Sequence, residues 1–402
     1  MTVPSTFKLN NGKEIPAVGL GTTKNSADVL VSFLLLPTHL DPLDPFVRSL
    51  RTAGPRCEMT ISRSSHVPLG SGSGNPSLPN PALTIQRKGE VAKAVEAALK
   101  AGYRHIDCAW GYGNEEEVGE GIRASGVPRS EIFITSKLFE IHHHPEHVEL
   151  AIKDTLNKLK TDYLDLYLMH WNLQPQNRAD PPQINFQVDV PAGQLPGWDH
   201  VVKADNGKIK LDVPLSDDVT PTWRALEALV EKGLAKSIGI SNFNINRTKK
   251  LLKEAKIKPV ANQVELSIQI PQFELVQWLQ DNGIVPEAYS PLGGTEGTHL
   301  RENKVVVAIA EKHKVHGATI LLSWLLKRGI VVLPKSVTPS RIEANFQTVD
   351  LSDDEFKQIN DLAKSHPPNR VCDQSTSFEP YYDIYQENDP EFSDKVQFAK
   401  EK

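Results

Sequence analysis

From Glu90 onward, short β-branched or aromatic runs alternate with amphipathic stretches, and this alternation restricts the fold more than any other feature of the chain. In order the segments read EVAKAVEAALKAG, YRHIDCA, EEEVGEGIRASG, EIFITSK, PEHVELAIKDTLNKLK, DYLDLYLMH, PTWRALEALVEKG, AKSIGIS, INRTKKLLKEAK, PVANQVEL, PQFELVQWLQDNG, IVPEAYS, NKVVVAIAEKHK, TILLSWLLKRG and IVVLP. Gly102, Gly126, Gly233, Gly283 and Gly329 close helical stretches, where a left-handed residue ends a helix at little cost. With PAVGLG as the first strand, eight β units follow one another in a βα series. Such a series predicts a parallel (β/α)8 TIM barrel rather than an open sheet. Asn11-Gly12, between FKLN and KEIPAVGL, is the pair favoured in tight hairpins, so a small N-terminal β-hairpin cap is expected. A doubly wound nucleotide-binding sheet would need a Gly-rich turn between strand and helix, and LGSGSGNPS has no strand before it.

Two stretches break the rhythm. Residues 25–87 fall between the first strand and its helix, carrying Pro37, Pro42, Pro45, Pro55, Pro68, Pro76, Pro79 and Pro81 and a Gly/Ser run. A long loop of that composition is either a functional lid or disordered, and a disordered insertion is the expectation here. Asn172 to Asp218 is the second break, with a hairpin signal at Asn206-Gly207; it either lines a mouth or is a plain surface loop. Otherwise residues 1–402 read as one barrel domain, with 374–402 as a C-terminal tail.

Hydrophobic content of 39% and charged content of 24% allow a sizeable core, while a net charge of −5 offers no basic face for nucleic acid. Cys57, Cys108 and Cys372 are too few for a disulfide framework, and no Cys/His spacing suits zinc. The N-terminus has no basic-then-apolar signal, and the apolar stretch Val29 to Leu36 is far short of the ~20 residues that span a bilayer. A cytoplasmic monomer acting on small molecules, without nucleic-acid or membrane partners and without metal, is expected.

Several polar residues fall at strand ends, the catalytic face of a barrel: Asp107 and Tyr112 in HIDCAWGYGNE, Lys137 in IFITSK, His170 in LDLYLMH, and Lys335 and Arg341 in VVLPKSVTPSR. A tyrosine hydroxyl, with a reference pKa of about 10, needs a neighbouring cation to become a useful acid. Lys137 can be that cation, and Asp107 would keep it charged in a buried setting. His170 can hydrogen-bond a substrate oxygen. Each residue alone has an ordinary structural explanation; on one barrel face together they describe carbonyl reduction. A Lys, an Arg and hydroxyls before a helix start make an anion site. HHHPEH is expected to be a solvated approach to a helix rather than a metal cluster, and Glu115 to Glu117 a helix first turn favoured by the dipole.

YRHIDCAWGYGNEEEVGEGI and LPKSVTPSRIEANF resemble the active-site and cofactor signatures of the aldo-keto reductases of fungal or yeast type, and the likeness covers Phe7 to Thr23 and nearly all of Glu90 to Asp373. The resemblance implies a tetrad of Asp107, Tyr112, Lys137 and His170, with Tyr112 as general acid, and an NADPH site without a Rossmann fold. It also implies that Thr22 and Thr23 approach the cofactor and that Ser241, Asn242 and Gln263 hold its carboxamide. Tyr289 would stack on the nicotinamide, and Ser290 and Leu292 would contact the pyrophosphate. Lys335, Ser336, Thr338 and Arg341 would hold the 2′-phosphate and Asn345 the adenine. Trp110, Phe139, His170 and Trp171 would meet a small-molecule carbonyl substrate. Thr23, Phe139, Asn172 and Ala344 depart from the family pattern; Asn172 stands where proline is usual. The expected reaction is NADPH-dependent reduction of an aldehyde or ketone to an alcohol. The alternative is a catalytically impaired NADPH-binding protein, because the insertion interrupts the first βα loop just after Thr22 and Thr23.

Overall fold

The structure, a computed structural model, describes residues 4–23, 87–176, 195–197, 200–294 and 297–385. The stretch read as an insertion lies outside the described residues except for Arg87. Thr6–Lys8 (β1) pairs antiparallel with Glu14–Pro16 (β2), Phe7 opposite Ile15, and Gly12 takes the left-handed turn position at φ +85°. Asn10 and Asn11 donate to Pro259 O and Ser237 Oγ at 2.9 Å each, residues that lead into later strands, so the hairpin sits at the strands' amino ends.

Strand and helix then alternate: Leu20–Gly21 (β3), Glu90–Lys100 (α1), His105–Asp107 (β4), Glu115–Ser125 (α2), Phe133–Leu138 (β5), Pro145–Leu159 (α3) and Leu166–Met169 (β6). After Ile209–Lys210 (β7), Val213–Asp217 (α4) and Thr220–Glu231 (α5) come Ile238–Ser241 (β8), Ile245–Glu254 (α6), Ala261–Glu265 (β9), Phe273–Asp281 (α7) and Val285–Tyr289 (β10). Thr298–Arg301 (α8), Lys304–His313 (α9), Gly317–Lys327 (α10), Val331–Val332 (β11), Pro339–Phe346 (α11), Asp353–Lys364 (α12) and Phe378–Glu379 (β12) complete the described chain.

Eight strands form one sheet in the order β3-β4-β5-β6-β8-β9-β10-β11, every pairing parallel. Parallel bridges Val18↔Val332 and Gly21↔Lys335 join its two edges, so the sheet closes into a (β/α)8 barrel. Gly21 suits that seam, because a Cβ there would stand 3.0 Å from Leu333 O. Helix α1 buries one stripe, turning Val91, Ala94, Val95, Ala98 and Leu99 inward, the spacing of a 3.6-residue period. Helix α2 contains Gly119 and Gly121, whose added Cβ atoms would meet Leu159 O at 2.6 Å and Ala92 O at 2.4 Å. It therefore rests directly on the backbones of α3 and α1, which explains glycine inside a helix.

Outside the barrel, the Asn206-Gly207 turn is a hairpin, with Ala204 N donating to Lys208 O at 2.8 Å, and its strand β7 pairs parallel with β12. Among the described residues no helix is long and apolar enough to cross a membrane.

Candidate active site

Asp107 ends β4 and Lys137 is the penultimate residue of β5, and the register that sets Asp107 opposite Thr135 brings the two side chains together. Lys137 Nζ donates to both Asp107 carboxylate oxygens at 2.8 Å and to Cys108 O at 2.9 Å, all of it buried. Burial alone would strip the lysine of its proton; Asp107 and Tyr112 beside it instead hold its pKa above the ordinary range. Tyr112 lies in the tight turn Trp110–Tyr112 after β4, with Lys137 Nζ 5.3 Å from its ring centre. Burial pushes its phenol up to about 12, against the charge and hydrogen bond of Lys137, so Tyr112 is protonated at neutral pH. His170 follows β6 and meets the Tyr112 ring edge-on, centroids 5.9 Å apart. Burial first, then Lys137 and His143, keep its imidazole neutral, and its buried Nδ1 has no hydrogen-bond partner among the described residues.

Below this group Gln263 Nε2 donates to Asp107 Oδ1 at 2.9 Å and to Glu287 Oε2 at 3.3 Å. Both amide hydrogens are thereby committed, and the carbonyl oxygen is the polar atom left to accept. Ser241 Oγ donates to Gln263 O at 2.8 Å. Asn242, left-handed at φ +62°, donates from Nδ2 to His170 O and Ser241 Oγ at 3.2 Å each, and accepts from Tyr289 OH at 2.9 Å. One hydrogen-bonded chain thus ties the loops after β6, β8 and β10 together. Thr22 donates from N and Oγ1 to Asp107 O at 3.0 Å, and Thr23 follows it, half-buried. Ser290 takes φ +48°, and Leu292 packs on the core.

Lys335, Ser336, Thr338 and Arg341 gather where β11 leads into α11: Thr338 N donates to Ser336 Oγ at 3.1 Å, and Thr338 and Arg341 are exposed. Asn345, one turn further, is buried. Arg301, at the end of α8, approaches the same place. Burial and the neighbouring Arg341 guanidinium lower its pKa. Two guanidinium groups from separate elements, a lysine and a helix start are the donor types that suit a phosphate.

Aromatic rings cluster around His170, with the Phe139 and Trp171 centroids each 6.3 Å from its own. Trp110 stacks on Phe139 at 5.5 Å and is fixed by Nε1 donating to Asp154 Oδ2 at 2.7 Å. His142 meets Trp110 edge-on at 4.5 Å, and buried Trp171 faces Tyr385 at 6.3 Å.

The histidine run departs from expectation. His142, His143 and His147 are buried, not solvated, because the chain folds His142 against Trp110 and its Nε2 within 2.9 Å of Pro196 O. Burial lowers these imidazoles to about 4, about 3 and about 4. Among the described residues no cluster has the make-up of a metal site. Glu115 does begin α2, but it is also buried, accepting from Ser136 Oγ at 2.7 Å and Thr155 Oγ1 at 3.2 Å. Burial raises its carboxyl to about 7.

Sequence reading passed over Glu287, Arg301 and Asp154. Glu287 carried a usable signal, a carboxyl in the middle of the strand VPEAY, two residues before Tyr289. Arg301 and Asp154 carried none, because their partners lie tens of residues away.

The family model described as "Aldo/keto reductase family" matches residues 72–364. A glycerol 2-dehydrogenase (NADP(+)) of Hypocrea jecorina is 44% identical over 287 residues, covering 69% of this chain and 85% of that protein. Aldo-keto reductase family 1 member A1 of Cricetulus griseus is 41% identical over 320 residues, 75% of this chain and 92% of that one. Among solved structures, the aldose reductase from Schistosoma japonicum superposes with a TM-score of 0.69 at 32% identity, covering 96% of this chain and all of that one. The chain belongs to the aldo/keto reductase family.

Proposed function

We propose that this protein reduces aldehydes or ketones to alcohols with NADPH, Tyr112 delivering the proton. The observation that carries the reading is the buried Lys137 ammonium, held by Asp107 and placed beside a protonated phenol at the carboxyl ends of the strands. The residues suit the cofactor: the Gln263 carbonyl is the acceptor a carboxamide needs, and Lys335, Ser336, Thr338 and Arg341 form an anion cradle that would take the 2′-phosphate. Ser241 and Asn242 would complete the carboxamide contacts, and Tyr289, its hydroxyl anchored on Asn242, would offer its ring to the nicotinamide. Thr22, Thr23, Ser290 and Leu292 would flank the pyrophosphate and Asn345 the adenine. NADP(+) in the names of the Hypocrea jecorina and Saccharomyces cerevisiae relatives agrees with that preference.

When bound, the cofactor supplies a hydride to the carbonyl carbon. Neutral His170 donates a hydrogen bond to the carbonyl oxygen and orients it. As negative charge grows on that oxygen, Tyr112 passes its proton to it, and Lys137 stabilises the phenolate left behind. Asp107 keeps the ammonium in place through the cycle. Trp110, Phe139 and Trp171 exclude water around the reacting carbon and favour apolar or aromatic carbonyl compounds beside small hydroxyaldehydes.

The test is NADPH oxidation over a panel of aldehydes and ketones. Tyr112→Phe should lower kcat by about 10²- to 10⁴-fold while NADPH still quenches protein fluorescence with unchanged affinity. Undiminished turnover in that variant would remove Tyr112 from the role.

A further inference from the structure

Arg247 stands in the first turn of α6, shortly after the Ser241-Asn242 loop, and is 8% exposed. Sequence alone presents it as one basic residue among several in INRTKKLLKEAK. In the fold its guanidinium faces the C-terminal segment. Nε donates to Ile384 O at 3.1 Å, Nη1 to Tyr382 Oη at 2.7 Å and Nη2 to Asp383 O at 3.3 Å, with the Tyr382 ring 4.8 Å below. Tyr382 passes the link on, its hydroxyl donating to Asp217 at 2.7 Å. The guanidinium also meets Asn172, sharing Nε and Nη1 between that residue and the C-terminal segment. With that amide turned so that its oxygen faces the arginine, Nε and Nη1 donate to it at 2.8 and 2.9 Å. Asn244 adds a second clamp, its Oδ1 accepting from Arg247 N and its Nδ2 donating to Tyr385 O, both at 2.8 Å.

Asn172 directly follows Trp171 and His170, and Tyr385 directly follows Ile384, so the guanidinium joins the segment after His170 to the C-terminal segment. A proline at 172 would offer it no side-chain acceptor. A buried guanidinium needs acceptors for its five donors, and a lysine, a single point of charge, would not replace that fork.

We propose that Arg247 is a specificity-determining positioning residue: it latches the segment Phe378–Tyr385 onto Asn172 and so sets Tyr385 against Trp171, giving the mouth an aromatic wall that selects planar, apolar carbonyl substrates. The specificity consequence rests on the reductase reading above; the latch itself does not. Small hydroxyaldehydes, held by Tyr112 and His170, present no planar face for such a wall to pack against.

The test compares the parent, Arg247→Ala, Tyr385→Ala and the double variant, with benzaldehyde and glyceraldehyde as substrates at saturating NADPH. In Arg247→Ala the preference for benzaldehyde should fall about tenfold through KM, the scale of losing one apolar contact surface, while kcat and NADPH affinity hold. Tyr385→Ala should lose the same preference, and the double variant should lose no more, because both remove one wall. Equal KM increases for both substrates, or additive losses in the double variant, would overturn the assignment. Hydrogen exchange of the Phe378–Tyr385 amides gives a readout independent of turnover. It should quicken at least about tenfold in Arg247→Ala, and unchanged exchange would remove the latch. An inactive parent with quickened exchange in Arg247→Ala would strike the reductase reading and the specificity consequence together, leaving the latch standing.

Discussion

Glu287→Gln tests the charge balance beneath the candidate centre. Burial first, and the negative charge of Asp107 second, push the Glu287 carboxyl from its ordinary 4.5 up to about 8, against the opposing effects of Gln263 and Lys137. Between those two values the folded chain holds a proton that the unfolded chain has released. Stability falls with rising pH wherever the folded state binds more protons, so the penalty from this group is absent below pH 4.5 and complete only above about pH 8. At about 1.36 kcal/mol per pH unit, the gap corresponds to roughly 3 to 5 kcal/mol, the lower figure allowing for relaxation around the ionised group.

Glutamine keeps the shape, and its amide oxygen can still accept from Gln263, but it cannot ionise. The stability of the variant minus that of the parent should therefore climb by about 3 to 5 kcal/mol between pH 5 and pH 9. Urea unfolding followed by tryptophan fluorescence at each pH measures this, provided the denaturant slope is common to both proteins. Glu115 and Glu140 titrate in the same window, raised by burial to about 7 and about 8, but both proteins carry them and they cancel in the difference. A difference that stays flat with pH would refute the reasoning. It would mean that Glu287 is already ionised at neutral pH and shares the Lys137 ammonium with Asp107.

Lys137→Met should lower stability by about 3 to 5 kcal/mol in urea unfolding, because Asp107 is left buried without its cation; adding Asp107→Asn should return part of the loss. Gly121→Ala should destabilise by about 1 to 3 kcal/mol, because its Cβ would meet Ala92 O at 2.4 Å and backbone cannot step aside cheaply; a lower Tm reads it. Asp154→Ala releases the Trp110 indole, bound at 2.7 Å, and should raise KM for aromatic aldehydes by at most about tenfold with kcat held.

The barrel could be read from the chain because its evidence is local: helix period, strand length and terminal glycine each occupy a few neighbouring residues. Gly102, Gly126, Gly233, Gly283 and Gly329 all adopt the left-handed backbone their position required. The meeting of Asp107, Tyr112, Lys137 and His170 could be anticipated for a related reason, since a parallel barrel delivers the carboxyl end of every strand to one face. Long-range burial could not. HHHPEH looks solvated in sequence, and only the tertiary fold shows His142 under Trp110 and His143 behind His170. The Arg247 latch is invisible for the same reason, with Asn172 and Ile384 far away along the chain in opposite directions.

The raised pKa of Tyr112 suits the proton donor proposed above, although at first sight it contradicts the role proposed for the lysine. In the resting centre Lys137 and Asp107 cancel, Glu287 and Tyr112 hold their protons, and the buried group carries no net charge. A phenol lowered to neutral pH would spend part of its time as phenolate and could not donate. On that proposal the ammonium contributes little to the ground state and most when the proton departs, because only then does a second anion face it beside Asp107. An interaction that strengthens only as charge develops raises kcat rather than substrate affinity. It follows that Lys137 should matter to turnover far more than to binding of either substrate or cofactor. Glu287 must stay neutral for the arrangement to work, since a second carboxylate beside Asp107 would claim the positive charge that the phenolate needs.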